Sequence, residues 1–253
     1  VTSALDGLAA AVIADPAGDA PRVAYADAIG VSDPERAELI RLQLAMASAR
    51  RHGKYATQAQ KERAKALIAK HGKAWAGRIA DRVRAYEFSR GFVEHVTMPA
   101  ADFLAFADEL FRVAPIRHLT LVYAKGQTAK IAASPALARL VSLHLPSNDL
   151  GDDDVAALVA SPHLGGLSLL DLAKNAIGRA GAEAIVAAPA LAKLRHLDFR
   201  GNKIDLVPRA AGVDYDGSVQ DVEVPPLATE LQSRYGRRAY LLGDGQIPHL
   251  DAL

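Results

Sequence analysis

The 253-residue chain has no cysteine. That excludes a disulfide scaffold, cysteine-ligated zinc, iron–sulfur clusters and thiol catalysis. It fits a reducing compartment, and the expected location is cytoplasmic. No apolar run approaches the ~20 residues that cross a bilayer. Val1 to Ala11 places no basic stretch ahead of its apolar residues, so no secretory leader is expected. Aromatic residues make up 6% of the chain, with a single tryptophan, so stacking platforms for bases are scarce. Neither G-x-x-x-x-G-K nor G-x-G-x-x-G occurs, and H-E-x-x-H and G-x-S-x-G are missing as well. No cofactor, metal or catalytic residue is expected, and the chain does not read as an enzyme.

The composition is otherwise that of an ordinary globular protein, half hydrophobic and 23% charged. The net charge of +1 conceals an asymmetry. Between Arg50 and Arg90 twelve Lys/Arg face three acids (Glu62, Asp81, Glu87), so this stretch carries +9 and the remainder −8. Such a split suits either an anionic partner or acids elsewhere in the chain.

The first ~80 residues read as helices. Residues 3–14 carry the stripe Leu5, Leu8, Ala9, Val12, with Ser3 and Asp6 as a capping box. Asp19 with Pro21 opens a short helix through Ile29, and Asp33-Pro34 opens another that runs toward Arg51. A basic helix over roughly 56–70 follows Gly53, with a further break expected at His71-Gly72.

The period then changes. Leu140-x-x-Leu143-x-Leu145-x-x-Asn148-x-Leu150 returns as Leu167-x-x-Leu170-x-Leu172-x-x-Asn175-x-Ile177. It returns again as Leu194-x-x-Leu197-x-Phe199-x-x-Asn202-x-Ile204. The asparagines are 27 residues apart each time. Ile116, Leu119, Leu121 and, earlier, Val93, Val96, Met98 fill the strand positions of two weaker units whose asparagine slots hold Ala124 and Ala101. In each unit a short strand points its leucines inward, the asparagine serves backbone groups at a turn, and a helix such as 152–160 or 179–187 packs behind. After residue 204, Asp216-Gly217 between Val213/Tyr215 and Val219/Val222/Val224 reads as a hairpin. Residues 227–235 read as a helix stopped by Gly236, and 238–242 as a strand.

The repeats resemble leucine-rich repeats of the ribonuclease-inhibitor type over residues 93–204. The resemblance implies a curved βα solenoid whose sheet and rim bind other proteins. Asp15-Pro16, Asp19-Ala20-Pro21-Arg22-Val23-Ala24-Tyr25-Ala26-Asp27 and Asp33-Pro34-Glu35-Arg36-Ala37-Glu38-Leu39-Ile40-Arg41-Leu42-Gln43 are similar to the bacterial repeat-companion domain. So are His71-Gly72 with Trp75 and Arg90-Gly91-Phe92-Val93-Glu94. That family has no established activity. Its usual tryptophan is Ala28 here, which implies local repacking of a core position.

The expected fold class is therefore α/β: a short leucine-rich-repeat solenoid with an all-helical N-terminal cap. The expected domains are 1–90, 91–204 and a closing element over 205–253. Strand alternation places His95, His118, Ser142, Leu169 and His196 in one outward column. Thr97, Thr120, His144, Asp171 and Asp198 form the next; Pro99, Val122, Pro146, Ala173 and Arg200 form a third. His144–Asp171 and His196–Asp198 are candidate pairs. Imidazole and carboxylate suit zinc, but only His144, Asp171 and Asp198 come close together, so a polar binding surface is favoured over a metal or hydrolytic site. Asp214-x-Asp216-Gly217 with Asp221 lacks the remaining ligands of a calcium loop and reads as the hairpin. Asp152-Asp153-Asp154 reads as a helix start complementing the dipole.

The function expected is an adaptor or scaffold that binds a partner protein on the strand face. The residues expected to contact it are His95, Thr97, His118, Thr120, Val122, Ser142, His144, Leu169, Asp171, His196, Asp198 and Arg200. Alternatives are an accessory subunit presenting a peptide or protein substrate to a separate enzyme, or an anion or nucleic-acid binder through the basic 50–90 helices.

Overall fold

A computed structural model describes residues 4–204, 209–210, 222–223 and 226–235. They form a mixed α/β fold of helices and a sheet with parallel strands. The chain divides into two compact units. Among the described residues, one comprises 4–121 and 139–142, the other 122–138 and 143 onward.

The first unit opens with four helices: α1 (Ala4–Ala14), α2 (Ala20–Ala28), α3 (Pro34–Arg51) and α4 (Gln58–Ala76). Val12 is fully buried and Leu8 and Ala9 pack beside it, whereas Leu5, expected in the same stripe, is 39% exposed. Asp33 caps α3 by accepting from the Arg36 amide (3.0 Å). Asp19 sits at the start of α2 but makes no cap; its carboxylate turns to Arg51 and Arg90 instead. Thr57 and Gln60 make a reciprocal capping box for α4. The break expected at His71-Gly72 does not occur, because α4 runs on to Ala76 and ends at Gly77 (φ +55°). Gly72 is there for closeness: a Cβ would lie 3.1 Å from Ile68 and 3.6 Å from Phe88. Ala28 is exposed, so the position needs no core repacking.

β1 (Ala85–Ser89) and β2 (Phe92–Pro99) then pair antiparallel, Ser89 opposite Phe92. The two-residue turn is Arg90-Gly91, both at positive φ (48° and 85°), as a tight hairpin requires. α5 (Ala100–Val113) buries Phe103, Ala107, Leu110 and Phe111 along one stripe, and β3 (His118–Val122) lies next to β2.

A buried ionic knot ties the helices to this hairpin. Glu94 accepts from Arg22 (2.6 Å) and from Arg90 (2.8 and 3.1 Å), and all three are at most 5% exposed. Arg22 and Arg90 also donate to the carbonyls of Pro16, Ala17 and Gly18. Burial holds Arg22 below the usual guanidinium range, reinforced by the neighbouring Arg90 charge. Burial pulls Arg90 down too, but hydrogen bonds and charge from Glu94 and Asp19 leave it raised. Around the knot, Tyr25 meets Phe92 edge-on (5.3 Å), and Gln43 bridges the Phe88 carbonyl and the Gly91 amide.

The second unit carries the repeats: β4 (Ser142–His144, of which Ser142 belongs to the first unit), α6 (Thr128–Ala132), α7 (Asp152–Val159), β5 (Leu169–Asp171), α8 (Arg179–Ala187) and β6 (His196–Asp198). β5 and β6 are parallel with Leu169 opposite His196 and Asp171 opposite Asp198. Leu143, Leu145, Leu170, Leu172, Leu197 and Phe199 are buried as the repeat requires. Near the C-terminal end, Arg209 and Ala210 pair antiparallel with Glu223 and Val222. α9 (Pro226–Tyr235) buries Leu227 and Leu231, and its Arg234 donates to the Val186 carbonyl. The Asp216-Gly217 turn, Asp214, Asp221, Gly236 and the 238–242 strand lie outside the described residues, as does Ser3.

Candidate functional site

Each asparagine of the repeat is a junction between successive rungs. Asn175 Oδ1 accepts from the Asn148 and Leu150 amides, and its Nδ2 donates to the Leu145, Leu172 and Ala173 carbonyls. Asn202 does the same for Ile177, Leu172 and Phe199. Asn148 serves the amide of Ala124, the residue that fills the slot in the weaker unit. The residue before each slot is left-handed: Tyr123 (59°), Ser147 (54°), Lys174 (57°) and Gly201 (73°). This recurring turn pushes four side-chain positions outward, and all four are exposed. The 27-residue spacing contained that feature, but the residues share no chemistry, so the sequence pattern passed over it.

The acids of Asp152-Asp153-Asp154 are in part inter-repeat links. Asp152 Oδ1 accepts from the Gly178 amide (2.6 Å), and Asp154 accepts from Gly126, Thr128 and Gly151. Gly178 and Gly181 leave room for Asp152; a Cβ on Gly181 would lie 2.7 Å from both Asp152 Oδ1 and Ile177.

In the second unit the outward columns are largely buried. His144, Leu169, Asp171 and Asp198 are each at most 8% exposed. His144 Nδ1 lies 3.5 Å from Asp171 Oδ2, the pairing expected from the sequence. Asp171 Oδ1 accepts from the amide of Ala173, and Asp198 Oδ1 from that of Arg200, the same turn in consecutive repeats. Asp198 does not pair with His196, as the spacing had suggested. Its two oxygens are held by the Arg200 guanidinium at 2.5 to 3.0 Å. That hydrogen bonding raises the Arg200 pKa against a smaller opposing effect of burial, with the charges of Asp198 and Asp171 adding to it. His196, the first residue of β6, is exposed, yet partial desolvation of its ring, then the Arg195 charge, hold its pKa below 6.5. The accessible residues here include His196, half-buried Arg200 and the turn residues Ser147, Lys174 and Gly201.

In the first unit, His95 Nε2 meets Thr120 Oγ1 and His118 Nδ1 meets Ser142 Oγ, both at 2.8 Å. His118 and Ser142 are buried, while His95, Thr97 and Thr120 are partly accessible, and Val122, first residue of the second unit, is too. His95 and His118 thus each spend a ring nitrogen on a hydroxyl of the next strand. Among the described residues no three His, Asp or Glu side chains are grouped to hold a metal ion.

The basic 50–90 stretch is extensively matched within its own unit. Arg63 grips Glu38 with two hydrogen bonds, Lys70 and His71 hold Glu35, Arg51 holds Asp19 and Arg90 holds Glu94. Arg82 stacks on Phe106, 4.6 Å from its ring centre. Lys54, Lys61 and Lys65 stay exposed, beside a 93% exposed Tyr55.

A family model described as a leucine-rich repeat matches residues 139–159 and 167–186. The matches coincide with the first two full repeats. No curated protein and no solved structure matches the chain. No described helix is long and apolar enough to cross a membrane.

Proposed function

We propose that the chain is a non-enzymatic adaptor or scaffold, built as a short solenoid, that binds a partner protein through its leucine-rich repeats. Leucine-rich repeats generally mediate protein–protein interaction and are typically non-enzymatic. The observation that carries the reading is the repeated left-handed turn, which sets Ser147, Lys174 and Gly201 outward beside a rigid asparagine ladder. Side chains held on such a ladder need little further ordering on binding. The partner's contacts in the second unit are assigned to Lys174, His196 and Arg200, with His144, Leu169, Asp171 and Asp198 supporting them from below. The first-unit candidates His95, His118, Thr120 and Ser142 are assigned mainly to internal hydrogen bonding, Thr97 to the partly accessible surface, and Val122 to apolar contact.

A cytoplasmic location, the bacterial repeat-companion identity of residues 1–90 and the boundaries 91–204 and 205–253 belong to the same proposal. The commitment of His144, Asp171, Asp198 and Arg200 to one another favours it over a hydrolytic cluster. The internal pairing of the basic helices favours it over nucleic-acid binding.

The test is capture from native lysate by immobilised wild-type chain and by the double variant Lys174→Glu/His196→Glu. Both side chains are exposed, so the variant is expected to fold. A protein retained by wild type and lost by the variant supports the proposal. Equal retention, or nucleic acid alone that elutes with salt, contradicts it.

A further inference from the structure

The first unit contains a cleft, partly open to solvent, that the repeat surface does not involve. Its walls include the rings of Tyr25, Trp75 and Phe92 and the aliphatic side chains of Ile13 and Val113; among the described residues the only cation lining it is Arg36.

Arg36 differs from its neighbours in what it lacks. The nearby acids are engaged elsewhere. Asp33 accepts from the Arg36 backbone amide and from the Trp75 indole (3.0 Å). Glu35 holds Lys70 and His71, and Glu38 holds Arg63. Glu94 serves Arg22 and Arg90. Among the described residues the Arg36 side chain has ring contacts only, its Cζ 5.3 Å from the Tyr25 ring centre and 5.5 Å from that of Phe92. Its Nε is buried without a hydrogen-bond partner among the described residues. A buried donor in that state is costly, and a guanidinium presents paired donors that match a planar carboxylate. The aromatic and aliphatic walls match an apolar body. A phosphate fits less well, because one arginine among rings offers a dianion little compensation for lost water.

We propose that this cleft binds a small carboxylate carrying an aromatic or branched apolar group. Arg36 holds the carboxylate, and Tyr25, Trp75, Phe92 and Val113 enclose the body. The same chemistry has two sources, a free acid and the C-terminal residue of a peptide.

Trp75 is the only tryptophan in the chain, so its fluorescence reports on this cleft alone. The full chain is titrated with 3-phenylpropionate and with its amide, and with a Gly-Gly-Phe peptide as free acid and as C-terminal amide. A saturable change is expected with a carboxylate and at least ten-fold weaker binding with the matching amide. Binding of phenylpropionate identifies a free acid as sufficient; binding of the peptide acid alone identifies a polypeptide terminus. Arg36→Gln is expected to weaken binding at least ten-fold with an unchanged circular dichroism spectrum. If that variant does not fold, Val113→Phe decides. Val113 is 42% exposed, so the larger ring is tolerated, fills the cleft and is expected to abolish binding. No saturable change with either acid overturns the proposal, as do amides that bind equally, folded Arg36→Gln binding like wild type, or Val113→Phe binding unchanged.

Discussion

Glu94 is the residue whose loss leaves the most unpaired charge behind. Two buried guanidiniums converge on it, and Arg117 stands 3.9 Å away. Glu94→Gln removes the charge but keeps the size, and is expected to cost about 3–5 kcal/mol, because uncompensated buried charge is strongly destabilising. Urea unfolding of the variant checks this; a loss below ~1 kcal/mol would mean the knot is well hydrated. Gly91 is the second sensitive position. It has φ +85°, and a Cβ there would lie 2.2 Å from an Ile40 side-chain atom and 2.8 Å from its Cα. Gly91→Ala is expected to cost about 2 kcal/mol or more through overpacking and strain, read as a lowered urea midpoint. Both residues stood in motifs visible in the sequence, Arg90-Gly91-Phe92-Val93-Glu94 and the Arg22 segment. That the motifs meet each other was not legible, because it depends on contacts 72 residues apart.

Among the elements, the repeats were the most legible part. Leucine spacing placed β4, β5 and β6 and the helices α7 and α8 close to their observed positions, since a buried strand alternates and a 27-residue unit has room for one helix. The asparagine ladder makes its own forecast. Among the described residues, Asn175→Ala strips five hydrogen bonds from a buried site, while Asn202→Ala strips three from a half-buried one. Asn175→Ala is expected to cost about 2–3 kcal/mol or more and Asn202→Ala clearly less, since unmet buried groups set the cost. Thermal unfolding of the two variants checks the order; the reverse order would contradict the ladder. Less legible was how far the outward columns would be withdrawn from solvent. Alternation assigns a face, but not how deeply neighbouring rungs bury it, as Asp171 and Asp198 illustrate. The β1 strand was missed too, although Arg90-Gly91 carried a hairpin signal.

For the whole molecule, charge is the feature the sequence showed only as a total. Part of the +9 of the 50–90 stretch is answered by Glu35, Glu38, Asp19 and Glu94 in folded contacts. Hydrogen bonds from Lys70 and His71 hold Glu35 below the usual carboxylate range, and those from Arg63 hold Glu38 there. Burial pushes Asp19 up, but hydrogen bonds and charges from Arg51 and Arg90 outweigh it and leave it lowered. For a depressed carboxylate, the stabilisation is complete above its unfolded value, here 3.8 or 4.5, and is lost as pH falls through the lower folded value. His196, whose folded pKa is also depressed, adds a smaller loss in the same direction below 6.5. Stability is therefore expected to fall gently below pH 6.5 and steeply below about pH 4. Melting temperature followed across that range checks this, and a stability that rises toward acid would contradict the pairing.

The most direct test of partner binding through the repeats is hydrogen exchange of the chain, free and bound to whatever protein it captures. Protection is expected to concentrate in residues 169–174 and 196–202, around Lys174, His196 and Arg200. Protection confined to residues 54–65, where Lys54, Tyr55, Lys61 and Lys65 are exposed, would contradict it and move the interface to the basic helices.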